Sequence, residues 1–152
     1  MAFSVTITCS ESFHSSCTPE KTMLFLTQYN TSIGKYFDSL ESFSKSKDDT
    51  YHWKFKTLSY GGSEFNIQFL TTFESKGNET LLIIPVDKNS KMNLTGRWEL
   101  LPDKGGTLVR FNVTLVGELP LPSFTKSFIT PLAQREVSKI FSRYITNVSK
   151  AI

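Results

Sequence analysis

The chain has 152 residues, with 17 Lys and Arg against 14 Asp and Glu, a net charge of +3, and 39% hydrophobic residues. This length suits one domain with a sizeable core, and a charged content of 20% is too low for a disordered polyelectrolyte. The longest apolar run, residues 81–86, is far shorter than the roughly 20 residues that a membrane-spanning helix needs.

The N-terminal part predicts a long strand followed by two short helices. Apolar and polar residues alternate from Ala2 to Ser15, which is typical of a strand with one buried face. Thr18-Pro19-Glu20 predicts a helix start, because Thr caps a helix, Pro fits its first position and an acid favours its first turn. We expect this helix to reach about Gln28 and a second one to span Thr31 to Leu40. The expected core residues of the first helix are Met23, Leu24 and Leu26.

The two cysteines, Cys9 and Cys17, are expected to be free thiols. Along one strand they would lie roughly 26 Å apart, at about 3.3 Å per residue. A disulfide needs Cα atoms about 4.4–6.8 Å apart. The N-terminus also lacks the basic segment of a secretory signal, since its first cation is Lys21. We therefore expect a reducing, cytoplasmic location.

Residues 41–119 predict strands and turns throughout. In the last hairpin, the turn Asp103–Gly106 would place Leu101 opposite Leu108, and hence Trp98 opposite Phe111. Apolar pairs then share one face of the hairpin, while Glu99 and Arg110 pair on the other, as cross-strand energetics favour.

An earlier hairpin shows the same kind of pattern. A three-residue loop, Tyr60-Gly61-Gly62, between strands Tyr51–Ser59 and Glu64–Ser75 would place Trp53 opposite Phe69 and Phe55 opposite Ile67. Two hairpins with aromatic pairs on one face predict a curved antiparallel sheet.

The C-terminal part predicts a long helix. Leu119-Pro120-Leu121-Pro122 cannot continue a central strand, because proline removes the donors of the ladder. Apolar residues then recur at three- and four-residue steps as far as Val148, so we expect a helix that reaches about Lys150. Pro131 either kinks this helix or follows Thr130 as the first position of a fresh one.

The whole chain, residues 1–152, is thus expected to form a single α+β domain. Its order of strand, two short helices, six antiparallel strands and long helix resembles the START/Bet v 1-like (SRPBCC, polyketide cyclase and lipid-binding) superfamily. The features that carry the resemblance are Thr18-Pro19-Glu20, the hairpins with Trp53/Phe69 and Trp98/Phe111, and Leu119-Pro120-Leu121-Pro122. The resemblance implies a helix-grip fold: a curved seven-stranded antiparallel sheet wrapped around a long C-terminal helix, with two short helices after strand 1.

The resemblance also implies a space between sheet and helix that holds lipids, sterols, polyketides or other small apolar molecules. Inward-facing residues of the strands and of the last helix are the candidates to line it, with Thr71, Arg135 and Tyr144 as polar anchors. The same aromatic residues also fit a packed core that fills the gap. The candidate ligand-binding residues are Trp53, Phe55, Phe69, Thr71, Phe73, Trp98, Phe111, Val113, Leu132, Arg135, Ile140 and Tyr144.

No residue pattern predicts a catalytic or metal site. His14 and His52, the only histidines, lie at no metal-ligand spacing, and neither a Gly-x-Ser-x-Gly elbow nor a phosphate-binding loop occurs. We expect no metal and no cofactor. Glu118 and Glu136, near the predicted cavity rim, are the nearest candidates for acid–base chemistry.

Three functions remain open on these grounds: a carrier or sensor of a small apolar ligand, which we favour; a polyketide cyclase/dehydrase-type enzyme; and a protein-interaction module using the basic last helix. Arg135, Lys139 and Arg143 form a basic stripe on that helix, either a solvated face or a site of transient contact with a membrane surface. Nucleic-acid binding is not expected, because Lys54 and Lys56 alternate with the aromatics and point to the other face.

Overall fold

The computed structural model of the chain describes residues 3–60 and 63–152. Its strands are β1 (Phe3–Ser15), β2 (Leu40–Lys45), β3 (Tyr51–Phe55), β4 (Leu58–Tyr60), β5 (Ser63–Phe65), β6 (Gln68–Lys76), β7 (Thr80–Pro85), β8 (Met92–Asp103) and β9 (Gly106–Leu119). Its helices are α1 (Pro19–Thr27), α2 (Tyr29–Ser32) and α3 (Lys126–Ala151), and a 3₁₀ turn (Ser123–Thr125) precedes α3. None of the helices in the described ranges has the length and apolar character needed to cross a membrane.

A seven-stranded antiparallel sheet holds most of the strands, in the order β1-β9-β8-β7-β6-β3-β2. The predicted alternation of β1 is confirmed, and this strand pairs with β9 from Phe3↔Leu119 to Ser15↔Thr107. The long helix α3 packs against β1. This arrangement confirms the predicted helix-grip fold.

The predicted register of the β8–β9 hairpin is confirmed. Trp98 pairs with Phe111 and Glu99 pairs with Arg110. The ring centroids of Trp98 and Phe111 are 4.4 Å apart, and both side chains are buried. The turn residues and the same-face alternation on both strands therefore fix this part of the sheet.

The β3–β6 pairing is confirmed at Trp53↔Phe69, but the predicted three-residue loop is wrong. Nearer the turn, Ser59 pairs with Glu64, a register shifted by one residue, and β4 and β5 form a separate two-stranded hairpin. The backbone N–H of Phe55 still donates to the carbonyl of Ile67, whereas Leu58, Ser59 and Tyr60 pair with β5. The turn residues Gly61 and Gly62 lie outside the described residues.

The first helix begins as predicted, with the Thr18 hydroxyl accepting a hydrogen bond from the backbone N–H of Lys21. Met23 and Leu26 are buried, whereas Leu24 is 62% exposed, so its expected place in the core is wrong. One residue after Met23 the helix has turned by about 100°, which carries Leu24 to the outer side. The second helix is shorter than expected and is followed by turns up to Tyr36.

The last helix is continuous from Lys126 to Ala151 and contains Pro131, so no fresh helix starts after Thr130. Its buried face is formed by Val137, Phe141, Tyr144, Ile145 and Val148. Leu132 and Ile140, expected on the same face, are half-buried at its margin. The basic residues Arg135, Lys139 and Arg143 are exposed.

Candidate ligand cavity

An aromatic cluster fills one part of the space between the sheet and α3. Phe37, in the turn that follows α2, stacks on Tyr144 of α3 with ring centroids 4.4 Å apart. The same ring meets Phe55 of β3 and Phe141 of α3 edge-on. Such stacked and edge-on contacts stabilise aromatic pairs beyond the area that they bury. This part of the interior is a packed core.

Two tyrosines belong to this core, the half-buried Tyr29 and the buried Tyr144. Tyr29 of α2 stacks on Phe73 of β6, with ring centroids 3.9 Å apart, and lies edge-on to Tyr51. Burial, reinforced by Tyr51, raises the pKa of Tyr29 to about 12, and burial also raises the pKa of Tyr144. Both hydroxyls therefore stay protonated near neutral pH and are poor general bases.

The cavity begins where the aromatic cluster ends. It has a volume of about 270 Å³ and lies between β1, β9 and the N-terminal half of α3. Val5, Ile7 and Leu115 form its sheet wall. Along α3, the lining side chains recur at the three- and four-residue steps of one helix side: Ile129, Leu132, Ala133, Glu136 and Val137.

The detached β4–β5 hairpin closes another side of the cavity. Leu58 and Phe65 from this hairpin line the space, followed by Ile67. At the base of the hairpin the Thr57 hydroxyl donates a 3.0 Å hydrogen bond to the side-chain oxygen of Asn66. The break in the β3–β6 ladder thus places a short apolar flap over the cavity.

The polar lining of the cavity is dominated by carboxylates. Glu64, Glu118 and Glu136 line the space together with Asn66. A carboxylate oxygen of Glu136 lies 3.4 Å from Nε of Arg135 and 3.6 Å from Nζ of Lys139. The cavity therefore combines an apolar wall with acidic groups that could accept hydrogen bonds from a ligand.

The sequence matches no protein-family model, and no curated protein matches it. Among solved structures, a START superfamily protein from Mycobacterium smegmatis superposes with a TM-score of 0.65 at 10% identity, covering 95% of this chain and 96% of that one. A protein from Thermus thermophilus superposes with a TM-score of 0.60 at 16% identity, covering 95% and 98%. The di-domain ARO/CYC protein StfQ from the steffimycin biosynthetic pathway superposes at 0.60 and 10% identity, covering 96% of this chain and 50% of that one.

The chain has a START/Bet v 1-like fold. This confirms the resemblance seen in the order of the sequence elements. At 10–16% identity these similarities show the fold alone.

Of the ligand-binding residues predicted from the sequence, Leu132 lines the cavity of this START/Bet v 1-like fold. Ile140 and Phe73 are half-buried, and Arg135 is exposed beside Glu136. The role of these residues in ligand binding stays a prediction. The other ligand-binding residues predicted from the sequence are buried in the core: Trp53, Phe55, Phe69, Thr71, Trp98, Phe111, Val113 and Tyr144.

Several lining residues were not singled out in the sequence. Val5 and Ile7 belong to the alternating pattern of β1, but that pattern marks an inward face and not which part of the face stays uncovered. Leu58 and Phe65 reach the cavity only because their hairpin leaves the main sheet. Glu118 and Glu136 were the two residues that the sequence placed near the rim, and both line the cavity.

A second, more open depression of about 550 Å³ adjoins the cavity. Asn66, Met92 and Glu118 line both spaces. Farther along the depression, Nε2 of His52 lies 3.0 Å from the side-chain oxygen of Gln68. Within residues 3–60 and 63–152, no group of three or more His, Cys, Asp or Glu side chains is placed to hold a metal ion.

Proposed function

We propose that the protein binds a small apolar molecule in the cavity between the sheet and the first half of α3. The observation that carries this proposal is the apolar wall of a 270 Å³ space bounded by Ile7, Leu115 and Ala133. Small-molecule sites are concave, mostly apolar and typically about 300–1,000 Å³, so this cavity lies just below that range. Each Å² of apolar ligand surface removed from water would contribute roughly 25 cal/mol to binding.

The cavity is large beside the voids found inside proteins, and it opens to the surface. Protein interiors contain few voids larger than a water molecule, whose share of liquid volume is about 30 Å³. The aromatic cluster beside the cavity shows that this chain can fill the same layer tightly, as at Phe37 and Tyr144. Exposed residues such as Glu64 and Pro120 also line the space, which gives a ligand a route from the surface.

Binding can be tested with N-phenyl-1-naphthylamine, an uncharged apolar probe whose fluorescence rises in apolar surroundings. We expect one probe molecule to bind per folded chain. Ala133→Phe adds a ring to the cavity wall and should weaken binding at least tenfold, while Thr146→Phe adds the same ring to the exposed side of the same helix and should leave binding unchanged.

Thermal unfolding of both variants checks that the domain stays folded. No binding of the probe by the wild-type protein at any soluble concentration would contradict the proposal. Equal binding by Ala133→Phe and Thr146→Phe would place the probe elsewhere and contradict the assignment of the cavity.

A polyketide cyclase-type enzyme is the second candidate, favoured by the carboxylates in the apolar cavity. Glu118 and Glu136 could exchange protons with a ligand held against Leu132. The test is incubation of the protein with a linear poly-β-ketone thioester. Faster formation of cyclised product, lost in Glu118→Gln or Glu136→Gln, would support catalysis, and a product distribution equal to that without protein would oppose it.

A further inference from the structure

Two phenylalanines beside the cavity are exposed to solvent. Phe124 is 79% exposed and Phe128 is 60% exposed. The other exposed large hydrophobic side chains of the described residues are aliphatic. They lie four residues apart, immediately before Ile129 and Leu132, which line the cavity. Single exposed apolar residues are common, but two highly exposed phenylalanines only four residues apart present more apolar surface, and large exposed apolar patches mark interaction sites.

The basic residues of α3 lie in line with this patch. From Phe128, steps of seven, four and four residues lead to Arg135, Lys139 and Arg143. At about 100° per residue, these steps keep all four residues on one side of the helix. All of them are exposed, and Val137 on the opposite side is buried in the core.

The C-terminal segment carries a clear excess of positive charge. Residues 121–152 contain five Lys or Arg residues and one acidic residue, Glu136. Glu136 lies within ion-pair distance of Arg135 and Lys139. Both cations are largely exposed, and such ion pairs contribute little, so they remain able to meet another anion.

We propose that the face formed by Phe124, Phe128, Arg135, Lys139 and Arg143 docks on an anionic lipid surface. The two phenyl rings enter the interfacial layer at one end of the face, and the three cations meet lipid phosphates and carboxylates along the rest. An apolar patch continuous with a basic stripe is the combination that membrane interfaces bind. Because Ile129 and Leu132 adjoin the patch, this orientation sets the cavity close to the lipid, although docking itself does not depend on the proposed ligand.

The test is flotation of the purified protein with two kinds of vesicle, phosphatidylcholine alone and phosphatidylcholine with one third phosphatidylserine. We expect binding to the anionic vesicles that weakens as salt is added. The variant Arg135→Gln/Lys139→Gln/Arg143→Gln should lose about fivefold in affinity for each cation removed. The control Lys47→Gln/Lys76→Gln/Lys88→Gln changes the net charge equally at exposed positions elsewhere and should bind nearly as wild type.

The phenyl rings are tested separately. Phe124→Ser/Phe128→Ser should weaken binding at least tenfold, whereas Leu24→Ser, at another exposed apolar residue, should not. Circular dichroism checks the fold, and Phe128→Ser alone serves if the double variant is unstable. Absence of wild-type binding to anionic vesicles, equal losses in the controls, or binding to an acidic polypeptide but not to vesicles would overturn the proposal.

Discussion

The indole Nε1 of Trp53 donates a 2.8 Å hydrogen bond to the hydroxyl of Thr71 inside the aromatic core. Trp53 is 1% exposed and Thr71 is fully buried. Thr71 was expected to be a polar anchor for a ligand, but the structure gives its hydroxyl an internal partner. The buried indole N–H of Trp53 thereby has a hydrogen-bond acceptor inside the core.

We predict that Thr71→Val destabilises the domain by about 1–3 kcal/mol, because the variant leaves the buried Trp53 N–H without an acceptor. Thr71→Ser keeps the hydroxyl and is the matched control, with a smaller loss from the missing methyl group. Urea unfolding monitored by tryptophan fluorescence measures both. A Thr71→Val protein as stable as Thr71→Ser would contradict the importance of this bond.

Trp98→Ala should cost about 3–5 kcal/mol of unfolding free energy, because it removes a large side chain from a packed site. Trp98 is 2% exposed and contacts Phe111 across the β8–β9 pair and Tyr144 of α3. The measurement is chemical unfolding of the variant beside Arg97→Ala, whose exposed side chain lies on the other face of β8. A loss at Trp98 no larger than that at Arg97 would show that the site tolerates a cavity.

Alkaline pH should destabilise the protein through two tyrosines of its core, Tyr29 and Tyr144. The folded state raises the pKa of Tyr29 from 10.0 to about 12, and it raises that of Tyr144 as well. The unfolded chain therefore loses these protons first, so their contribution to stability is complete below about pH 10 and declines above it. Free energies of unfolding measured between neutral and alkaline pH should fall less steeply in Tyr29→Phe and Tyr144→Phe. Slopes equal to that of wild type would contradict this prediction.

The two free cysteines should differ in reactivity. Cys9 is buried with its sulfur 3.6 Å from the hydroxyl of Ser138, and burial raises the pKa of its thiol. Cys17 is half-buried after the end of β1. A thiol reagent such as DTNB should react quickly with native Cys9→Ser and slowly with native Cys17→Ser. Equal rates in the two single variants would show that β1 and α3 separate often enough to expose Cys9.

Local patterns determined the order of the elements and much of the sheet register. Thr18 capped its helix as predicted, since a cap and the turn that it satisfies lie within a few residues of each other. Trp98 met Phe111 because a short turn and strict alternation leave a hairpin few other registers. The order of these elements was also enough to indicate the START/Bet v 1-like fold.

The tertiary structure alone decided which part of the interior stays open. The β4–β5 flap is detached from the main sheet and lines the cavity, although the sequence pattern predicts one continuous pairing of the strands from Tyr51 to Ser75. The periodicity of α3 includes Phe128, Val137 and Phe141, yet only the contacts with the sheet leave Phe128 in solvent and bury Phe141. An inward-facing apolar residue has the same sequence signature whether it meets another side chain or an empty cavity, because what lies across the gap comes from distant parts of the chain.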